Sequence, residues 1–223
     1  KTRKRLRNGE KNIEPLYTQK DAEATMPLFQ PVPYDKPFEP FPGLEIKFRD
    51  AGHILGASMV ELLVGENGLK TKIVFSGDIG RPAQLMMQDP TIEDTADYLF
   101  MESTYGNRNH KNEADSLTEL AAAIQYSYGR GEKVIIPAFA VERTQEIIYS
   151  LHLLAKDGRL PADMPVYVDS PLAIRATEIF RRYREYLDGQ TKELLQKGED
   201  PLSLPQLHFT LTSQESVAIN TMP

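Results

Sequence analysis

The chain has 223 residues, of which 26 are Lys or Arg and 32 are Asp or Glu, so its formal net charge is −6. With 40 % hydrophobic and 26 % charged residues, the composition is that of a packed globular protein and excludes a disordered or fibrous chain. No apolar run approaches the roughly 20 residues that span a bilayer, which excludes a transmembrane enzyme. The sequence has no cysteine, so any metal must be held by His and carboxylates, and a reducing cytoplasm is the expected location.

The first 42 residues predict little regular structure. Six basic residues crowd positions 1–11, and this arm either contacts nucleic acid or is a solvated chain end. Six prolines between Pro27 and Pro42 predict an extended connector, because proline disfavours a helix.

A β-rich half follows the connector. Alternating apolar residues predict strands over 44–48, 58–64 and 72–75, and the last two flank a turn at 65–68. Residues 97–101 predict a further, buried strand that ends at Glu102.

The second half alternates helices and strands. Apolar spacing of three and four predicts helices over 113–128, 141–155 and 173–187, and a short helix capped by Ser213. Short apolar runs predict strands over 134–137, 166–168 and 206–211. Such alternation predicts a parallel sheet covered by helices, and the boundary between the halves is expected in the polar loop 107–112.

Three polar side chains stand at the ends of predicted strands, beside glycines or small residues: His53, Asp78 and Glu102. Glycine-flanked side chains at strand ends have little steric cover, and imidazole with carboxylate suits Zn²⁺ or a related ion. Taken singly, His53 is also explained as a structural histidine and Asp78 as a turn residue.

Five ordered motifs resemble the β-CASP branch of the metallo-β-lactamase fold, which comprises RNA-processing and DNA-repair nucleases. They lie at 50–57, 75–81, 102–106, 137–146 and 166–173, and the resemblance extends from about Glu14 onward. It implies an α/β fold: part of a metallo-β-lactamase αββα sandwich over residues 1–108, then part of an inserted parallel-sheet β-CASP domain over 109–223.

The resemblance also implies an activity, zinc-dependent hydrolysis of RNA phosphodiesters in an endo- or exonucleolytic mode. By motif, His53 corresponds to a ligand of one zinc and Asp78 to the carboxylate that bridges two zincs in the catalytic centre. Glu102 corresponds to an acidic catalytic-site residue that orients a later histidine, which protonates the leaving oxygen. Manganese is the alternative metal.

The chain also departs from the family pattern. The His-x-His-x-Asp-His signature and two later histidine motifs are absent, and His110, His152 and His208 match no motif. Two ligands cannot hold a catalytic metal pair, since each zinc takes three or four. We therefore expect a middle portion of a longer enzyme, inactive by itself.

Two further residues are predicted to bind substrate. Arg143 and Ser170 stand where a predicted strand meets a helix, and the free N–H groups at a helix start suit a phosphate. The alternative for Arg143 is an ion pair with Glu142 or Glu146. The alternative for Ser170 is helix capping alone, with Pro171 at the first helical position.

Four arginines lie on and just after the last long helix: Arg175, Arg181, Arg182 and Arg184. They either line a nucleic-acid groove or form a solvated face paired with Glu178 and Glu185, and the second interpretation is favoured. Tyr183 and Tyr186 either pack in the core or stack on nucleic-acid bases, and core packing is favoured.

Single-stranded RNA is the expected partner; no membrane is expected, and a homodimer is left open. Two alternative functions remain. One is a catalytically inactive RNA-binding scaffold of the same family, against which the intact His53, Asp78 and Glu102 argue. The other is a metallo-hydrolase of a small molecule.

Overall fold

The computed structural model describes residues 15–109 and 112–222; the basic arm and His110 lie outside them. The fold is mixed α/β. In chain order, its elements are α1 (Gln19–Thr25), β1 (Phe38–Phe41), β2 (Leu44–Asp50), β3 (Ser58–Glu66), β4 (Leu69–Phe75), β5 (Tyr98–Phe100), α2 (Glu113–Tyr128), α3 (Arg143–Lys156), β6 (Val166–Val168), α4 (Pro171–Arg182), α5 (Gly189–Gln196), β7 (Leu207–Phe209) and α6 (Ser213–Thr221). Short 3₁₀ turns occupy Met26–Leu28 and Arg184–Tyr186.

The β-rich half forms one sheet with strand order β1-β2-β3-β4-β5, antiparallel except for the parallel pair β4–β5. The predicted turn between β3 and β4 is confirmed. Glu66 pairs with Leu69, and Asn67 and Gly68 between them have φ of 50° and 81°. Two central residues at positive φ match the right-handed twist of the strands, which is why Asn-Gly closes this hairpin.

The fourth predicted strand forms, but it is not buried. Tyr98, Leu99 and Phe100 are all exposed, because β5 lies at the edge of the sheet and pairs only with β4 among the described strands. The ring of Phe100 stacks on that of Phe75 with centroids 4.7 Å apart.

The strand predicted over 134–137 is wrong. This segment is not in a strand, and Ile135 is 86 % exposed. β6 and β7 form a parallel pair, as predicted, but among the described residues they pair only with each other. No described strand lies beside the apolar run 134–136, so in this part of the chain it has no strand partner for its backbone.

The main core lies between α3 and α4. Tyr149 and Phe180 are fully buried there, and the buried amide of Gln145 donates to the Thr177 hydroxyl at 2.9 Å and so links the two helices. Met86, from the long loop after β4, packs into the same core, so both halves of the chain share it.

The long predicted helices start and end within a few residues of the observed ones, except that α4 stops early. Its last helical residue is Arg182, because Tyr183 at φ −101° and ψ 50° leaves the helical conformation. The short elements α1, β1 and α5 were not predicted. Among the described residues, no helix has the length and apolar character needed to cross a membrane.

Candidate active site

Two strand-end loops lie against each other at the candidate site. The Gly80 N–H donates to the Ala51 carbonyl at 2.8 Å. A Cβ on Gly80 would lie 1.8 Å from the Gly52 carbonyl oxygen, and Gly52 itself has φ of +60°. Only glycine permits this approach of the two backbones. It brings the loop that carries His53 beside the loop that carries Asp78.

The two predicted metal ligands differ in exposure. The His53 side chain is half-buried, whereas Asp78 is exposed. The Gln84 side chain donates to the His53 carbonyl at 3.3 Å and so supports the backbone of that loop.

Glu102 supports the Asp78 loop from the end of β5. Its carboxylate accepts a hydrogen bond from the Thr104 hydroxyl at 2.5 Å and from the Ile79 N–H at 2.6 Å. These hydrogen bonds, with the nearby His53, hold the pKa of Glu102 below its ordinary value. Glu102 is therefore a charged acceptor that fixes the backbone next to Asp78.

The described residues do not complete a metal site. Within them, no group of three or more His, Asp or Glu side chains is placed to hold an ion. The imidazole of His53 and the carboxylate of Asp78 are donors of the kind zinc takes, but two are fewer than the three or four protein ligands it needs.

The start of α3 carries Glu142, which the sequence proposes only as an ion-pair partner of Arg143. Glu142 has φ of 68° and ψ of −65°, and the Arg143 N–H donates to the Val141 carbonyl at 3.0 Å. These values define a classic γ-turn, which is rare and strained for a non-glycine residue. No sequence signal marks Glu142, since γ-turns have no strong residue preference outside glycine.

The Glu142 side chain is also unusual. It is 5 % exposed, and within the described part of the chain its Oε2 has no hydrogen-bond partner. Its Oε1 accepts from Gln84 at 3.4 Å, so it faces the loop after Asp78. Burial, and then the negative charge of Glu146, raise the pKa of Glu142 to about 8.

The predicted substrate residue Arg143 forms an ion pair. Its Nη1 lies 2.6 Å from Glu146 Oε2, as the alternative interpretation proposed. Glu146 Oε1 also lies 3.4 Å from Arg81 Nη2, next to the Asp78 loop. The Arg143 side chain is 59 % exposed, so it is accessible from solvent despite the ion pair.

Ser170 caps α4. Its side chain accepts from the Ala173 N–H at 3.2 Å, and Pro171 begins the helix, so the capping interpretation accounts for this residue structurally. The neighbouring Asp169 accepts from Thr210 at 2.6 Å and from Ser216 at 2.9 Å, which holds its pKa below the ordinary value. Asp169 thereby ties the end of β6 to the segments around β7 and α6.

The other two described histidines have structural contacts. His152 lies 2.9 Å from the Ser203 carbonyl and 2.8 Å from Glu199. The ring of His208 stacks on Tyr167 with centroids 5.1 Å apart.

A cleft of about 470 Å³, which no pattern in the sequence indicates, lies beside the His53 loop. Three segments line it: the proline-rich connector, the β2–β3 region and the end of α4. Tyr183, predicted to pack in the core, is 43 % exposed at this cleft, so that prediction is wrong.

Comparison with known proteins places the chain in a family. Residues 144–223 match the model of the Beta-Casp domain. Ribonuclease TTHA0252 of Thermus thermophilus is 31 % identical over 94 % of this chain and 47 % of its own length. Transcription termination factor FttA of Thermococcus kodakarensis is 34 % identical over 91 % of this chain and 31 % of its own length. The RNase J-like protein of Methanocaldococcus jannaschii is 32 % identical over 85 % of this chain and 44 % of its own length.

The chain thus spans less than half the length of each of these relatives. The mixed α/β fold and the Beta-Casp match define a protein of the metallo-β-lactamase fold family. Within it, the chain belongs to the β-CASP family, whose members compared here include proteins named as ribonucleases and as transcription termination factors.

Proposed function

We propose that the full-length gene product is a metal-dependent ribonuclease that hydrolyses phosphodiester bonds in single-stranded RNA. The observation that carries the proposal is the contact between the two strand-end loops, through Gly80 and Ala51, which brings the His53 and Asp78 loops together beside Glu102. The names of the ribonuclease relatives support RNA as the substrate.

In this proposal, each residue of the site has a separate task. His53 and Asp78 each contribute one donor to a metal, which we take to be zinc with manganese as the alternative, and the remaining donors come from outside the described residues. Glu102 keeps the backbone after Asp78 in place through the Ile79 N–H. Arg143 and the start of α4 at Ser170 are available to contact phosphates of the RNA backbone. A cytoplasmic location belongs to the same proposal.

The test is cleavage of end-labelled single-stranded RNA by the full-length gene product. Cleavage that a chelator abolishes, and that added zinc or manganese restores, is the expected result. Tight RNA binding by the metal-loaded protein without cleavage would instead support the inactive scaffold. Hydrolysis of small phosphodiesters or lactams, with no activity on RNA, would support the small-molecule hydrolase.

A further inference from the structure

The cleft beside the His53 loop is lined by aromatic rings. Tyr34 and Tyr186 pack edge to face with centroids 5.8 Å apart, and Tyr183 lies at 6.4 Å from Tyr186. The Tyr34 hydroxyl donates to the Ala57 carbonyl at 2.8 Å, so this ring is held in place from the β2–β3 loop. The Tyr183 side chain is 43 % exposed, so its ring is accessible to a ligand in the cleft.

Part of the cleft wall comes from the loop that carries His53. Leu55 and Gly56, two and three residues after His53, line its wall, and Phe48 of β2 lies beside them. Its volume of about 470 Å³ falls in the range of sites that enclose small organic groups, roughly 300 to 1,000 Å³.

Unpaired positive charge lies on the helix that forms the other wall. Ile179 of α4 lines the cleft. Arg175 comes four residues before Ile179 and Arg182 three residues after it, so all three side chains lie on one side of the helix. Both arginines are exposed and have no ion pair among the described residues, not even with the intervening Glu178. The face is solvated, as the favoured interpretation expects, but the ion pairs with Glu178 that it expects are not formed in the part of the chain that the structure describes. Arg181, in contrast, is bound to Asp200 at 2.9 Å.

We infer that this cleft binds a nucleobase of single-stranded RNA, stacked on Tyr183, while Arg175 and Arg182 contact the adjoining phosphates. Single-stranded RNA is recognised by bases stacked on aromatic rings together with cationic contacts to the backbone. The cleft supplies the rings, and the side of α4 that includes Ile179 supplies the cations. An apolar peptide would use the rings but would leave the two guanidinium groups without a partner. The inference rests on the proposed ribonuclease function and adds a base-binding site to it.

The test is the affinity of the full-length gene product for a short fluorescent oligoribonucleotide, measured by anisotropy in EDTA over a range of salt concentrations. Tyr183→Ala is expected to weaken binding about tenfold, because one base–aromatic stack is lost. Tyr183→Phe keeps the ring and is expected to bind as the wild type does. With an oligonucleotide that lacks bases, Tyr183→Ala is expected to have no effect.

The arginines are tested by the double variant Arg175→Gln/Arg182→Gln, which changes only exposed side chains. Loss of two phosphate contacts is expected to reduce the slope of log affinity against log salt by about 1.4, since each contact on a single strand contributes roughly 0.7. Arg130→Gln is the matched control, because Arg130 is an exposed arginine that follows α2 rather than lying on α4, and it is paired with Glu132 at 2.8 Å.

Wild-type affinity and salt slope in both the Tyr183→Ala and the double arginine variants would overturn the inference. If, in that case, the wild-type protein cleaves RNA in a chelator-sensitive manner, the proposed function stands and only the base-binding site is refuted. Binding of an apolar peptide that Tyr183→Ala abolishes, with RNA affinity unchanged, would assign the cleft to a protein partner instead.

Discussion

The carboxylate of Glu102 accepts a 2.6 Å hydrogen bond from the backbone N–H of Ile79, the residue that follows Asp78. The two residues are 23 positions apart, and the bond joins the end of β5 to the loop after β4. Glu102 thus acts on Asp78 through the backbone, which assigns it a positioning task in the proposed site.

Glu102→Gln should lower RNA turnover more than it lowers metal content. The glutamine amide of the variant is neutral and therefore a weaker acceptor for the Ile79 N–H than the carboxylate. Loss of a residue that supports a metal site typically lowers activity about 10- to 100-fold. Steady-state kinetics and metal analysis of the same preparations measure both quantities. Glu193→Gln, at an exposed glutamate on α5, is the control. An equal loss of metal and turnover would make Glu102 a direct ligand.

Gly80→Ala should destabilise the protein by about 2 kcal/mol and abolish RNA cleavage. The added Cβ would overlap the Gly52 carbonyl oxygen at 1.8 Å, so the two loops must separate. Gly189→Ala is the matched control, because a Cβ at this first residue of α5 meets no atom within 4 Å. Denaturant unfolding curves and the cleavage assay together measure the effect. Wild-type stability in Gly80→Ala would show that the loops are not held in contact.

The contribution of Glu142 to the free energy of unfolding should fall as the pH rises. Its folded-state pKa of about 8 lies above the ordinary value of 4.5, so the folded state binds this proton more tightly than the unfolded state does. The stabilisation from this group is complete below about pH 4.5 and is lost as the pH rises through about 8.

Glu142→Gln should remove that dependence, because the amide remains neutral throughout. Urea unfolding between about pH 5 and pH 8 should therefore show a shallower decline in unfolding free energy for the variant than for the wild type. Glu193→Gln should follow the wild type. Identical pH profiles for Glu142→Gln and the wild type would contradict a protonated Glu142 in the folded protein.

Arg143→Gln should weaken RNA binding and reduce its salt slope by about 0.7, the value for one phosphate contact on a single strand. The side chain is exposed enough to reach RNA while its Nη1 remains paired with Glu146. Anisotropy titrations at several salt concentrations measure the slope, with Arg130→Gln as control. An unchanged slope would leave Arg143 with only its ion pair to Glu146.

Local patterns predicted much of this fold. The Asn67-Gly68 turn, the strands it joins and the cap of α4 at Ser170 all depend on residues close in sequence, where turn and capping preferences decide the structure. The apolar run 134–136 shows the limit of such patterns, because a strand exists only where a partner strand lies beside it.

The sequence proposes the candidate site residues by their type and position but does not predict the geometry of the loops that carry them. His53, Asp78 and Glu102 stand at strand ends where the sequence placed them, yet the contact of Gly80 with Ala51 joins residues 29 positions apart. The γ-turn and burial of Glu142 and the aromatic cleft depend on packing between distant segments. No periodicity in the sequence reports such packing.

The most direct test compares Asp78→Asn with Asp94→Asn in the cleavage of end-labelled single-stranded RNA by the full-length gene product. Both changes remove one exposed carboxylate of the segment between β4 and β5, but only Asp78 lies two residues from Gly80, whose N–H donates to the Ala51 carbonyl. We expect chelator-sensitive cleavage by the wild type and by Asp94→Asn, and none by Asp78→Asn. Undiminished cleavage by Asp78→Asn, or none by the metal-loaded wild type, would contradict a metal-dependent ribonuclease site built on these two loops.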